Sequence, residues 1–433
     1  MKSAANVLFV TCHDLGRHLG CYGRSTISSP ALDAFAASGA VFDQAWATAP
    51  QCSPSRAAMH TGRYPHSAGM LGLAHDPFGW RLAPDALHLA ARLRAEGYAT
   101  VLVGLQHLSQ TPFELGYDRV LPLAAAPELG RMTVGMLRTL ARDAERPFYL
   151  EVGFEEPHRP YDFGDAEPDA SRGVAIPPYL PQAPEARADL AAFQGATRVM
   201  DAAVGQILAE LDVLGLRDRT WVIFATDHGI AMPRAKATLY DPGLEIALLM
   251  RWPNGGLSAG QRLDAMVSNV DVTPTVLEGL GLPIPADLQG RSCWPLLRGE
   301  PYLAREEVFA EKTYHTHYEP MRGVRTAAHK LILNLEVDQA VDVPADVQQS
   351  PIYPLMISDF GQVRPTVELY DLASDPLERT NLADRPELMS VQDDLLGRLR
   401  AWMKASQDPI LDGPVASPYY ASALTRLRSP APG

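Results

Sequence analysis

Asn6-Val7-Leu8-Phe9-Val10-Thr11, running into Cys12-His13-Asp14-Leu15-Gly16, is the stretch that decides how this chain folds. An uninterrupted apolar run followed at once by a histidine and an aspartate reads as a strand buried on both faces that ends in a polar loop. Three further segments repeat the arrangement. Tyr98 to Val103 leads into Gly104-Leu105-Gln106-His107, Phe148 to Phe154 into Pro157-His158-Arg159-Pro160, and Thr220 to Thr226 into Asp227-His228-Gly229. Strands covered on both sides belong to parallel sheets, and in open α/β sheets ligands gather beyond the carboxyl ends of the strands. The chain is therefore expected to be α/β, a large, mostly parallel mixed sheet sandwiched by helices, with its polar loops converging on one pocket.

Helical patterns fall between the strands. Pro84 to Glu96, stopped by Gly97, is one; Asp189 to Leu214 is another, with Val199, Ala203, Ile207, Leu211 and Leu214 on one face. The proline-rich segment from Pro160 through Pro184 cannot be regular throughout, and its length suits a pocket wall. After Leu296-Leu297-Arg298-Gly299 the pattern changes to short strand-like runs, Lys330 to Leu335 and Glu368 to Asp371, and a helix near Val391 to Lys404. A boundary near residue 302 is expected, giving a catalytic domain over 1–302 and a smaller antiparallel-sheet domain over 303–433. The tail from Pro414 to Gly433 reads as a loosely packed extension.

Composition narrows the function classes. A chain of 433 residues with 46% hydrophobic residues can bury a large core, and its apolar runs are strand-length, far short of the ~20 residues of a membrane span. The formal net charge of −13 opposes coating of nucleic acid or of long sulfated polymers, both polyanions. A small or terminal group entering a confined site fits better. The four cysteines, at 12, 21, 52 and 293, show neither zinc spacing nor a disulfide framework, and little chain precedes the first strand, so a cytoplasmic protein is expected. Oligomeric state is not legible.

Cys52-Ser53-Pro54-Ser55-Arg56 carries the chemistry. Ser53 suits an N-cap, Pro54 the first helical position and Gly62 the helix end, which puts Cys52 at a helix N-terminus where backbone N–H groups favour an anion. Arg56 in the first turn is expected to offer its planar fork to that anion. Asp14 and Asp227, each directly after a buried strand, are the best metal ligands, because unpaired carboxylates there would be costly.

The Cys-x-Pro-Ser-Arg motif resembles the signature of the formylglycine-dependent sulfatases of the alkaline phosphatase superfamily. Arg63, Gly69-Met70-Leu71-Gly72 and the later loops are most similar to the sulfamidase branch, which acts on N-sulfated glucosamine. The resemblance implies a sulfuric ester or sulfamate hydrolase acting on a small sulfated substrate, a saccharide. It implies that a formylglycine-generating enzyme oxidises Cys52 to formylglycine, whose hydrate attacks sulfur and then expels sulfate in a two-step cycle. It implies a divalent metal, usually calcium, held by Asp14, Asp227, His228 and the group at position 52, with His13 a further candidate. His107 is then the base, His158 the acid, and Lys236 the cation on the bridging atom. Glu368-Leu369-Tyr370-Asp371-Leu372, Asp375-Pro376 and Asn381-Leu382 match the family's small terminal domain, from which His315 and Arg322 are expected to reach the substrate.

Two positions depart from the family pattern. His13 stands where two adjacent aspartates are usual, which opens magnesium or manganese as alternatives to calcium. Leu105 stands where the family's G-K-x-H has a lysine, so either another cation such as Arg17, Arg56 or Arg159 supplies that charge, or the activity is weakened, or the substrate presents its charge differently. A phosphonate or phosphate ester hydrolase, or a binding homologue with an unmodified Cys52, remains an open alternative.

Overall fold

The computed structural model describes residues 5–143, 145–258, 260–336 and 341–428. In chain order its strands are β1 (Asn6–Cys12), β2 (Ala40–Phe42), β3 (Ala45–Trp46), β4 (Ala99–Gly104), β5 (Arg119–Leu121), β6 (Phe148–Gly153), β7 (Thr220–Thr226), β8 (Leu248–Arg251), β9 (Gln261–Leu263), β10 (Val267–Ser268), β11 (Glu307–Tyr314), β12 (Tyr318–Thr326), β13 (His329–Asn334) and β14 (Val367–Asp371). Eight of them form one sheet in the order β5-β4-β6-β1-β7-β8-β2-β9. Its strands pair in parallel except β8, which runs against both β7 and β2.

The four apolar runs are the adjacent strands β4, β6, β1 and β7, and period-two geometry explains why they carry no alternation. Leu8, Val10, Val152 and Phe224 face the helices Ala126–Leu140 and Pro184–Val213. Val7, Phe9, Tyr149 and Ile223 face the helices Cys52–Thr61 and Val272–Gly279. Both faces are dry, and each fully buried Val, Leu or Phe contributes about 1.5–3 kcal/mol. Because the four strands are parallel, the loops after Cys12, Gly104, Gly153 and Thr226 emerge at the same edge. Gly104 makes one of those exits passable: its φ is +90°, and a Cβ there would lie 2.3 Å from the Gly153 carbonyl oxygen.

The smaller sheet, antiparallel in the order β11-β12-β13-β14, is also buried on both sides. Leu395, Leu399 and Trp402 of the helix Met389–Ala405 pack on Phe309, Val324, Leu331 and Leu369. On the opposite face Trp46, Leu239 and Leu244 from the larger unit meet Val308, Met321, Ile332 and Tyr370. Side chains from β11 onward therefore sit against the loops beyond β7.

Several boundaries differ from expectation. The helix expected over Pro84–Glu96 is confined to Leu89–Ala95, because His88 caps it, its Nδ1 accepting the Ala90 N–H at 3.0 Å. The long helix starts earlier, at Pro184, where proline suits the first turn. No helix or strand lies between β6 and Pro184, as the proline-rich segment suggested. The tail is not wholly irregular: a helix spans Pro418–Arg428, and Val415 is tied to the hydroxyls of Tyr314 and Tyr318, while 429–433 fall outside the described residues. Among the described residues no helix is long and apolar enough to cross a membrane.

Candidate active site

The motif helix runs Cys52–Thr61, two residues ahead of the sequence reading. Gln51 takes the N-cap position and Cys52 is already helical, while Ser53 accepts the Ala74 N–H at 3.0 Å instead of capping. Gly62 ends the helix as expected, at φ +73° with its N–H on the Ala58 carbonyl. The N–H groups left at the helix start are those of Cys52 and Ser53, since Pro54 has none and the Ser55 N–H is bonded to the Gln51 carbonyl.

Cys52 Sγ is buried and lies 3.5 Å from His228 Nε2. Burial would raise the thiol, but His13 and Lys236 hold it well below its ordinary range. The side chains of His13, Asp14, Cys52 and Asp227 converge with their ligand atoms all within 4.8 Å of one another. Asp14 and Asp227 are fully buried, and the Asp14 N–H donates to Asp227 Oδ1 at 3.0 Å. Burial works against both carboxylates; Lys236, His158 and His228 nevertheless hold Asp14 well below the usual range, as His228, His13 and Arg56 do for Asp227. Asp14 has φ +53° and His107 φ +59°, a region that costs energy for a residue with a Cβ and that clusters at functional sites.

This donor set fits a divalent cation. Asp14 Oδ1 and His13 Nδ1 are buried atoms without a hydrogen-bond partner, although a cation-sized group between them would engage both. His228 donates from Nδ1 to the Gly229 carbonyl at 2.9 Å, so Nε2, 3.0 Å from Asp14 Oδ1, is the atom left to take a proton or a metal. Burial opposes charge on this ring, but Asp227 and Asp14 outweigh it and push its pKa up to about 10.

An outer ring closes over the cluster. Lys236 Nζ lies 2.7 Å from Asp14 Oδ2, 2.7 Å from Asp346 Oδ2 and 3.3 Å from His158 Nε2. Burial, followed by the Lys236 charge, lowers the His158 pKa, with Asp14 pulling the other way. His107 Nδ1 faces His13 Nε2 at 3.3 Å, and its Nε2 meets His75 Nδ1 at 2.7 Å. The His75 and His107 rings stack at 4.8 Å and 17°. His315 is nearly buried, and burial first, then Lys236 and Lys312, push it down to about 4.

Some expected contacts are not made. Arg56 is buried and turned away from the cleft: Nε donates to Asp227 Oδ2 at 3.0 Å, Nη1 to Thr11 Oγ1 and Nη2 to the Cys12 carbonyl. It braces a candidate ligand instead of clamping an anion. Arg322, expected at the mouth, is fully buried beneath it in a bidentate pair with Asp408 and donates further to the carbonyls of Lys312 and Met321. The substitutes considered for the missing lysine are also engaged elsewhere. Arg17 lies over Trp46 with Nη1 on the Asp43 carbonyl, and Arg159 is paired with Asp189. Leu105 itself binds the Gly153 carbonyl through its N–H.

Two residues at this site were missed in the sequence. His75 belongs to a loop hooked onto the motif helix through Ala74 and Ser53, and nothing but the nearby Gly69–Gly72 run pointed to it. Asp346 sits in the short helix Ala345–Gln348, 110 residues from Lys236, with no local pattern to announce it.

Comparison with known proteins agrees with this architecture. The family described as Sulfatase matches residues 5–282, and that described as N-sulphoglucosamine sulphohydrolase, C-terminal, matches 232–405. Human N-sulphoglucosamine sulphohydrolase is 31% identical, with 94% of this chain and 92% of that protein aligned. Among solved structures, a 2-O GAG sulfatase superposes with a TM-score of 0.74 at 23% identity, covering 99% of this chain and 97% of that one. The phosphonate monoester hydrolase of Agrobacterium radiobacter gives 0.72 at 19%, covering 93% and 96%. At those identities the two structures establish a shared fold and do not separate sulfur from phosphorus chemistry. With every strand of the large sheet and the Cys52 helix inside the matched 5–282 span, the chain belongs to the sulfatase family.

Proposed function

We propose that this protein hydrolyses the sulfate ester or N-sulfate of a small or terminal saccharide, with position 52, matured by a formylglycine-generating enzyme, as the attacking group. The observation that carries the reading is the convergence of Cys52, His13, Asp14 and Asp227 at the start of a buried helix, beside His228. Similarity to N-sulphoglucosamine sulphohydrolase supports the saccharide class. Residues 1–302 form the catalytic unit in this reading, and 303–433 contribute the outer wall through His315 and Asp346.

Asp14, Asp227 and His228, with His13 beside them, are the residues that would hold a divalent cation. Such a cation withdraws charge from the sulfuryl oxygens, and formylglycine offers a hydrated aldehyde in place of the thiol. The chain supplies the rest. Helix N–H groups around residue 52 favour the negative oxygens, and Arg56 fixes Asp227 from behind. His107, in the Cys52 cluster and braced by His75, accepts a proton from the group at 52. His158, whose Nε2 faces the Lys236 ammonium at 3.3 Å, relays a proton to the departing atom, and Lys236 beside it offsets charge developing there. Two imidazoles beside two carboxylates make a donor set richer in nitrogen than calcium prefers, so manganese is expected to restore a chelated enzyme better than calcium.

The test is mass analysis of the peptide spanning residue 52 from the native host, together with sulfate release from glucosamine N-sulfate. Aldehyde at 52 with sulfate release is the expected result. An unmodified thiol throughout, with neither release nor metal uptake, would leave only a binding protein. The shared fold also favours a second reading, a phosphonate or phosphate ester hydrolase. Rates on sulfate and phosphate esters of one aryl alcohol separate the two.

A further inference from the structure

Lys236 has three ammonium hydrogens and three partners: Asp14, Asp346 and His158. His158 Nδ1 faces the Arg159 carbonyl, so its Nε2 is an acceptor toward Lys236. Asp14 belongs to the candidate metal cluster and His158 to the proton path. Asp346 gathers with both, the ligand atoms of Asp14, His158 and Asp346 all lying within 4.8 Å of one another, yet a carboxylate at the mouth of an anion site works against binding the anion by like-charge repulsion.

The surrounding structure nevertheless fixes it firmly. Ser350, four residues on, donates to Asp189 Oδ2 at 2.7 Å, and Asp189 holds Arg159, the neighbour of His158, through both guanidinium nitrogens. On the other side Asp342 accepts the N–H groups of Thr316 and His317 at 3.1 and 3.2 Å. The segment is pinned to both the β6 loop and the β11–β12 turn. From the core outward the order is Asp14, fully buried, then Lys236 at 2% and Asp346 at 14% side-chain exposure. In an in-line displacement from residue 52 the bridging atom and its sugar leave on the far side of sulfur, and with Lys236 on the bridging atom, as in the reading above, that side is the one where Asp346 stands.

We propose that Asp346 is a specificity-determining residue that favours an N-sulfate over an O-sulfate at the same ring position; the assignment rests on the hydrolase reading above. A sulfamate nitrogen carries a hydrogen that a carboxylate accepts, whereas an ester oxygen presents only lone pairs, which the carboxylate repels. The products differ in the same sense. R–NH–SO3⁻ and water give R–NH3⁺ and SO4²⁻: the sulfur–nitrogen bond breaks, its electron pair stays on nitrogen, and nitrogen takes both protons of the water. R–O–SO3⁻ and water give neutral R–OH and HSO4⁻. Only the first places a positive charge beside Asp346.

The measurement is kcat/KM for sulfate release from glucosamine N-sulfate and from glucose 2-O-sulfate, which differ at the bridging atom, in the wild-type, Asp346→Ala and Asp346→Asn enzymes. In Asp346→Ala the ratio of N-sulfate to O-sulfate should fall about ten- to a hundredfold, the equivalent of one charge-assisted hydrogen bond. Asp346→Asn keeps the side-chain volume and one acceptor oxygen and should fall between; if the alanine variant does not fold, a severalfold drop here decides. Equal losses on both compounds, or an unchanged ratio, would mean that Asp346 merely supports Lys236 and would overturn the assignment. A wild-type enzyme that cleaves glucose 2-O-sulfate but not glucosamine N-sulfate also overturns it, leaving the hydrolase reading intact. Inactivity on both compounds defeats that reading and the assignment with it.

Discussion

Two buried clusters of histidine and carboxylate lie along the Cys52–Thr61 helix, one at its first residue and one at His60 near its end, and they behave in opposite ways. His13, Asp14, Cys52 and Asp227 bring their ligand atoms within 4.8 Å of one another, with His228 beside them, and so do His60, His88 and Glu151. In the first, two carboxylates push His228 up to about 10. In the second, burial first, joined by repulsion from Arg56 at His60 and from His60 at His88, pushes both rings down to about 3. Hydrogen placement separates them further. His228 uses Nδ1–H on a carbonyl and turns Nε2 to the carboxylates, whereas His88 accepts a backbone N–H at Nδ1, so its neutral ring carries the proton at Nε2 and cannot offer that atom to a metal. Glu151 Oε2 accepts the hydroxyls of Tyr117 and Tyr149 at 2.7 and 2.6 Å, while its Oε1 faces His60 Nε2 at 3.5 Å. The difference teaches that residue type does not make a metal centre. The number of carboxylates facing the rings does, two in the first cluster and one in the second.

Substitutions can break that contrast. Cys52→Ala should give the largest effect, a loss of about 10⁴-fold or more in kcat with folding intact, because a nucleophile cannot be partly replaced; measured turnover near wild type would relocate the reaction. Arg56→Ala should follow. It leaves Asp227 buried without its guanidinium, costing about 3–5 kcal/mol in urea unfolding, and activity should fall with the ligand geometry. A stable, inactive variant would return Arg56 to the role of anion clamp. His75→Ala should lower kcat by about tenfold with little change in KM, since it removes only the partner that orients His107.

The smallest effect concerns the inner cluster. His60 has a folded pKa of about 3 against an ordinary 6.5, so the unfolded chain binds more protons between those values, and its contribution to stability is lost as pH falls through that window. His60→Leu removes the titrating group. Its unfolding free energy relative to wild type should therefore improve as pH is lowered from 7 toward 4, and a difference independent of pH would show that His60 is not buried in its neutral form.

The strands and their loops were legible because their information is local. β1 and β7 follow from uninterrupted apolar runs, and Asp14, His107, His158 and Asp227 lie within a few residues of strand ends, where parallel topology must bring them together. Arg56 illustrates the limit. The earlier helix start moves it from the first turn into the second, and whether its fork faced the cleft or the core depended on Asp227, just after β7, and Thr11 of β1. Arg322 failed for the same reason, drawn inward by Asp408 from just beyond the helix Met389–Ala405.

The layered α/β sheet, the motif helix and the residues gathered at Cys52 could be read from the chain alone, since each rests on periodicity or on residues close along it. That His75 braces His107, that Arg56 and Arg322 support rather than touch the site, and that Asp346 meets Lys236 emerged only on folding. Those contacts join segments far apart in the chain, and their energy comes from charges paired in a dry interior, which no local pattern of residues encodes.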